Sequence, residues 1–264
     1  MKKVFFRIFA FILDSIILGI VLASIITFVP VFHNKEITNL NNESLSLINE
    51  CSDAIKKIDD VLNDSKIDED ELNTIKEDYP SVSYIFEDYS KKEEIKSDEL
   101  SKSIQDYMIS KSKTIEYKLD RLNFNKYLLE LVLTLMYFGV IQYILKGQTL
   151  GKKVFRLYVV DEEDNLPNIY NFLLRSLLTS TILVSILTSI LAYNLSESSF
   201  IGVYKYLSGF SSFYVVLVFA FVLFRNDQKG LHDLILHTHI KLLNKDNTEY
   251  VEVVFKEENE ETSN

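Results

Sequence analysis

The sequence predicts an all-α polytopic membrane protein: four transmembrane helices, an extracytoplasmic α-helical hairpin inserted after the first, and a small cytoplasmic β element. Three observations carry this. Apolar runs at about 8–32, 127–145, 172–193 and 203–224 are each near or above the ~20 residues that a bilayer requires. Residues 34–126 are the opposite in character, with 14 Lys or Arg and 22 Asp or Glu, so this stretch holds −8 of the net charge of −10. Short basic clusters flank the apolar runs, as cytoplasmic loops do. A helical core buried in a soluble protein is disfavoured, because four such runs leave too little amphipathic surface to cover them.

The first span is the clearest, and it carries Asp14. A carboxylate in mid-membrane costs at least a few kcal/mol, so it faces a partner, a cavity or a pathway rather than lipid. Arg7 sits seven residues earlier on nearly the same helix face. The start MKKVFFR resembles a secretory leader, but the apolar run is too long for a leader core, contains Asp14, and ends in TFVPVFHN without a small-residue cleavage site. An uncleaved helix is expected.

The 34–126 insert reads as helices. Leu40, Leu47, Cys51, Ala54, Ile58 and Val61 follow three- and four-residue steps, the seam of a helix packed on another in coiled-coil fashion. A second stripe, Leu100, Ile104, Tyr107, Lys111, Ile115, Leu119 and Leu122, runs towards the second span with no Pro or Gly between, so that helix is expected to continue into the membrane. A short helix from Asp68 to Asp78 is closed by Pro80, and Ser97-Asp98-Glu99 opens another with acids in its first turn. The acidic run Asp64 to Glu71 lacks the glycine and the ligand alternation of an EF-hand and is expected as a solvated helix start. The single Cys51 excludes an intramolecular disulfide.

The second span carries Glu130 and Gln142, and after it comes Gly147-Gln148-Thr149-Leu150-Gly151-Lys152-Lys153. Three residues separate its glycines and Lys153 stands where a phosphate loop needs a hydroxyl, so a tight turn is the reading, followed by a strand-like Val154 to Val160. Arg175 lies near the start of the third span. Tyr204, Tyr206, Phe210, Phe213 and Tyr214 lead into the fourth, as an interfacial aromatic belt does.

Beyond it, Arg225, Asp227, Gly230, His232 and Asp233 precede an expected β-hairpin of His239–Leu243 against Glu249–Phe255, turning at Asn244–Thr248. His232, Asp233, His237 and His239 have no spacing that makes them a metal site, and surface or hydrogen-bonding histidines are expected. The final EENEETSN is a charged tail expected to be disordered.

Lys2, Lys3 and Arg7, the group Lys146, Lys152, Lys153 and Arg156, and the pair Arg225 and Lys229 all belong in the cytoplasm by the positive-inside bias. The N- and C-termini then face inward at the cell membrane, and the insert and the 194–202 loop face outward. The expected division is a first transmembrane helix at 1–33, the insert at 34–126, a membrane region at 127–243 with its cytoplasmic loop 147–170, and a cytoplasmic tail at 244–264. Richness in Lys, Asn and Ile suggests an AT-rich bacterial genome.

FRIFAFILDSIILGI with Arg7 and Asp14, GQTLGKKVFRLYVVD, FLLRSLL with Arg175, and DQKGLHDLILHTHIKLL with Asp233 together resemble the RDD family of membrane proteins, named for one arginine and two aspartates. The likeness covers about 1–30 and 127–243 and leaves out the insert. It implies that Arg7, Asp14 and Asp233 are the eponymous residues, with Gly147, Thr149, Gly151, Gly230 and His232 in its accompanying motifs. His237-Thr238-His239 stands where the family often has a smaller Ala-Gly-Thr run.

Arg7 and Asp14 are about 10 Å apart along a helix, too far for a direct pair, whereas Arg175 at roughly 5 Å depth can reach Asp14 at roughly 9 Å. A polar cluster of Arg7, Asp14, Arg175, Arg225, Asp227 and Asp233 is therefore expected on the cytoplasmic half. It fits two kinds of protein: a small transporter with Asp14 as cation or proton site, or a scaffold or sensor whose insert binds a partner or ligand. The expected partners are the bilayer, a cation or proton, and a second copy or another protein through the insert. No cofactor, metal or enzymatic chemistry is expected, since no nucleophile with a base and no phosphate loop is present. The acidic chain has no electrostatic footprint for nucleic acid.

Overall fold

The computed structural model describes residues 2–32, 34–62, 69–89 and 97–243. The described residues are mostly helical, with one two-stranded sheet among them. Helix α1 (Lys2–Phe28) stops ahead of Pro30, which lacks an N–H donor and disfavours helical geometry in its predecessor. The insert contributes α2 (Lys35–Leu62), α3 (Glu69–Asp78), α4 (Ser83–Tyr89) and α5 (Ser97–Leu122). Helix α6 (Phe124–Thr134) passes through a π-helical turn (Leu135–Ile141) into α7 (Gln142–Ile144), then come α8 (Leu150–Val154), β1 (Leu157–Asp161), α9 (Ile169–Thr179), α10 (Ile182–Asn194), α11 (Glu197–Phe224), α12 (Leu231–Ile235) and β2 (Thr238–Leu242).

Among the described residues, three helices are long and apolar enough to cross a membrane: Lys3–Phe28, Phe124–Ile144 and Glu197–Phe224. The expected third span is not one straight helix. It is the pair α9 and α10, bent by 64° between Thr179 and Ile182, and counts as a fourth span only if the pair is taken together. Thr179 lies at the break, and its hydroxyl bonds back to the helix backbone. Thr179 Oγ1 donates back to Arg175 O at 2.9 Å, and Ser180 leaves the helix at φ −104°, ψ 151°. The Tyr214 hydroxyl on α11 donates to the Leu178 carbonyl that the break leaves without a helical partner.

The chain divides into two compact units. The membrane unit is built from α1, residues 124–190 and the chain from Val203 onward. Its small core joins Ala10 of α1, Leu157 and Val159 of β1, Phe172 of α9 and Ile240 of β2. β1 and β2 are antiparallel, with Leu157 opposite Leu242, Val159 opposite Ile240 and Asp161 opposite Thr238. The strand expected at 239–243 forms at 238–242 and pairs backwards with 157–161; the expected partner 249–255 and its turn at 244–248 lie outside the described residues, as does the terminal EENEETSN.

The insert forms the second unit together with residues 191–202. Cys51, Ala54, Ile58, Val82, Phe86, Leu100 and Ile104 have no exposed surface and make its core between α2, α4 and α5. Glu50 accepts from Ser81 N–H at 2.8 Å and from its hydroxyl at 2.7 Å, fixing the turn after Pro80. Thr114 donates to Glu197 at 2.6 Å and Tyr117 to the Leu195 carbonyl at 3.1 Å. Helix α5 does not run on into the next helix: it ends at Leu122 and α6 starts at Phe124. Asn123, a poor helix residue whose amide competes for backbone partners, makes the break. Residues 63–68, most of the acidic run from Asp64, lie outside the described residues.

Candidate functional site

Asp233 lies in the first turn of α12 and is fully buried. Its Oδ2 accepts from the Gly230 N–H at 2.8 Å, as an acidic residue at a helix start does, and from Arg7 Nη2 at 2.8 Å. Its Oδ1 accepts from Arg175 Nη1. One carboxylate therefore ties two buried guanidiniums, one from α1 and one from α9. Arg7 also donates to the Gln228 carbonyl, and Arg175 to Thr238 Oγ1 at 2.8 Å. Burial alone would raise the Asp233 carboxyl, but Arg175 and Arg7 outweigh it and hold it well below the usual carboxylate range.

His232 sits beside this clamp, 6% exposed, with Nε2 3.1 Å from Arg175 Nη2. Burial first, then Arg175, push the imidazole down to about 3, so the ring is neutral and its Nε2 accepts from the guanidinium. Its Nδ1 consequently carries the proton, and that buried nitrogen has no partner among the described residues.

Asp14, 1% exposed, does not meet Arg175 as expected. It accepts three hydrogen bonds instead: from the Tyr137 hydroxyl at 2.6 Å, the Thr149 hydroxyl, and the Gly151 N–H at 2.7 Å. Thr149 is the N-cap of α8 and accepts from Lys152 N–H at 3.3 Å, so the start of α8 is wrapped around the carboxylate. Gly151 permits this approach, because a Cβ there would lie 2.4 Å from the Ala10 carbonyl oxygen and 2.7 Å from Asp14 Oδ1. Gly147, at φ +83°, is packed as closely on β1, where a Cβ would meet the Val159 carbonyl oxygen at 2.5 Å. Arg175 is turned towards α12 and β2, where Asp233 and Thr238 receive it, and donors from α8 already fill the space around Asp14.

Arg225 and Asp227 are not brought into the cluster. They pair with each other at 2.8 Å on the surface, about two-fifths exposed, and the Arg225 guanidinium holds the Asp227 carboxyl well below its ordinary value. Both lie just past the end of α11, beyond the reach of the buried groups. Of the other histidines, His237 lies 3.4 Å from Glu162 and His239 3.3 Å from Asp164.

Between α1, α6, α9 and α11 the membrane unit holds a partly open cavity of about 410 Å³. Arg7, Asp14, Lys152, Arg175 and His232 line it, as do Thr179, Ser180 and Thr181 at the helix break, and the rest of its wall is chiefly apolar. A second cavity of about 220 Å³ shares Phe11, Glu130, Phe138, Thr179 and Ser180 with the first. The Ser180 hydroxyl is buried and has no partner among the described residues. Lys152 is half-buried, and its Nζ reaches Gln142 Oε1 at 3.4 Å. Burial, then Arg175, push its ammonium down to about 7.

Several of these residues had no signal in the sequence. Tyr137 looks like one more apolar-span aromatic until the π-helical turn places it against Asp14, and π turns often mark functional positions. Lys152 reads as one of several positive-inside charges. The hydroxyl triplet at 179–181 was the one legible sign of the break.

Fold and site together define an α-helical membrane protein with a sharply bent helix pair and a buried arginine–aspartate clamp beside a cavity. The chain belongs to the RDD family, whose model matches residues 104–237. Arg175, His232 and Asp233 lie inside the matched residues, whereas Arg7 and Asp14 lie before them, so the clamp and the hydrogen bonds to Asp14 both join the first helix to the matched region. Comparisons with curated proteins and with solved structures returned no match.

Proposed function

We propose that this is a cell-membrane protein that admits a small solute into the cavity at its broken span, with both termini in the cytoplasm and the helical insert outside. The observation that carries this is the 64° break at Ser180 opening onto the cavity lined by Arg7, Lys152 and Arg175. Irregular backbone at membrane depth is tolerated where it is buried in protein or lines a cavity, and broken helices of this kind form the solute sites of many transporters. The orientation rests on the basic clusters around Lys2, Lys152 and Arg225.

A cation or proton relay through Asp14 has less support, because the carboxylate already accepts three hydrogen bonds that such a step would break. The geometry favours Asp14 as the anchor of α8 and the cavity as the solute site. Flux in proteoliposomes tests the reading, with Val218→Trp filling the cavity and Asp14→Asn alongside at matched abundance. A panel of small cations and anions should show flux in the unaltered protein that Val218→Trp abolishes. Absence of flux across the whole panel would remove transport.

The second reading, a sensor or scaffold working through its insert, is favoured by the separate core around Cys51, Phe86 and Ile104. Deleting residues 39–123 distinguishes the two: a sensor loses its response, and a transporter keeps its flux.

A further inference from the structure

The cavity is uneven in charge. Arg7, Lys152, Arg175 and His232 line only the larger cavity, while Glu130 lies on the boundary that it shares with the smaller one. Glu130 and Gln142 are twelve residues apart on one continuous span, roughly 18 Å of helix rise, and Lys152 is at the Gln142 end. The cavity is therefore long, with its cations gathered at one end.

At that end three cations face two carboxylates. Arg7 and Arg175 share Asp233, and Asp14 is occupied by donors from Tyr137, Thr149 and Gly151. Lys152 has no carboxylate within ion-pair distance among the described residues, and its neighbour His232 keeps an unpartnered, buried N–H. With Lys152 protonated, such an end lacks one negative charge. The walls leading away from it are Ile8, Phe11, Val215, Val218, Phe219 and Val222.

We propose that the cavity binds an anionic amphiphile, a single apolar chain with a phosphate or carboxylate head. The head is held by Lys152 beside the Arg7–Asp233–Arg175 clamp, and the chain lies along α11. A free anion would satisfy the charge but leave the apolar length empty; a neutral lipid would fill the length and leave Lys152 without its counter-ion. The proposal rests on the cavity being the working site and names the class of molecule that enters it.

The test is saturable binding of radiolabelled hexadecyl phosphate to the full-length protein in detergent, with hexadecanol and inorganic phosphate as competitors. Hexadecyl phosphate should bind, hexadecanol should compete at least about tenfold more weakly, and inorganic phosphate should not compete in the same range. Lys152→Met should weaken the phosphate amphiphile about tenfold, the loss expected for one charge-assisted hydrogen bond, and leave hexadecanol unchanged. Lys152→Arg should retain affinity, and Val218→Trp should weaken both amphiphiles; melting temperatures near that of the unaltered protein show that each variant is folded. Equal affinity for the charged and uncharged amphiphiles, no saturable binding, or no effect of a folded Lys152→Met overturns the proposal. Competition by inorganic phosphate at similar concentrations identifies a free-anion site and overturns it too. Binding without any flux sinks the transport reading and leaves this one standing; flux of small solutes without amphiphile binding does the reverse.

Discussion

Replacing Asp233 by Asn removes the one carboxylate shared by Arg7 and Arg175 while leaving the side-chain shape almost unchanged. Both guanidinium side chains are only 7% exposed and the carboxylate is fully buried, so neither arginine can turn to water for compensation. Stranding a buried partner costs about 3–5 kcal/mol. At roughly 2–4 °C of melting temperature per kcal/mol for a chain of this size, the variant should melt about 6–20 °C lower. Fluorescence-detected size exclusion after heating, on protein solubilised from equal amounts of membrane, measures this. Asp227→Asn is the control, because the surface pair with Arg225 is solvated on both sides and should produce a much smaller shift. Arg175→Met in the Asp233→Asn background removes the surplus charge and should recover part of the loss. Equal melting of Asp233→Asn and Asp227→Asn would refute the clamp.

Gly151→Ala should lower the melting temperature by the equivalent of about 1–3 kcal/mol, since its Cβ would press on the Ala10 carbonyl and Asp14; Gly19→Ala, on α1 with open space around it, should not. Tyr137→Phe removes a 2.6 Å bond from a buried carboxylate and should cost about 1–3 kcal/mol, read in the same melting assay. His232 stays neutral down to about 3, while an unfolded chain protonates it near its ordinary value of about 6.5. Its contribution to stability is therefore complete above about 6.5 and falls as pH drops towards 3, by up to about 1.4 kcal/mol per pH unit. Asp233, held below its unfolded value of about 3.9, loses its contribution only at still lower pH. Melting curves from pH 7 to pH 4.5 should accordingly flatten in His232→Gln, and an unchanged slope would contradict the neutral ring.

Much of the architecture was legible because apolar length is a local property. The four greasy runs and the two stripes of the insert needed nothing beyond residues a few positions apart, and Cys51, Ile58, Leu100 and Ile104 are buried as their spacing implies. The pairing of β2 with β1 is not local: Val159 and Ile240 are 81 positions apart, and no turn signal joins them. Arg7, Asp14, Arg175 and Asp233 each stood out as costly in an apolar setting, but cost does not select a partner. That choice depends on which way each helix faces, and the start of α8, a loop element in the sequence, took the place beside Asp14 that an arginine was expected to fill. The bend at Ser180 was masked by hydropathy, which averages over the polar residues at 179–181.

The central claim is that the broken span faces an accessible cavity inside the membrane unit. Thiol labelling tests it most directly, in a Cys51→Ala background where the only cysteine is the one introduced. Thr179 lines the cavity, whereas Leu187 on α10 is an exposed apolar residue of the span surface. Thr179→Cys should react with a small membrane-impermeant methanethiosulfonate added from one side of a sealed vesicle, and Leu187→Cys should stay unmodified. A Thr179→Cys as inert from both sides as Leu187→Cys would contradict the account.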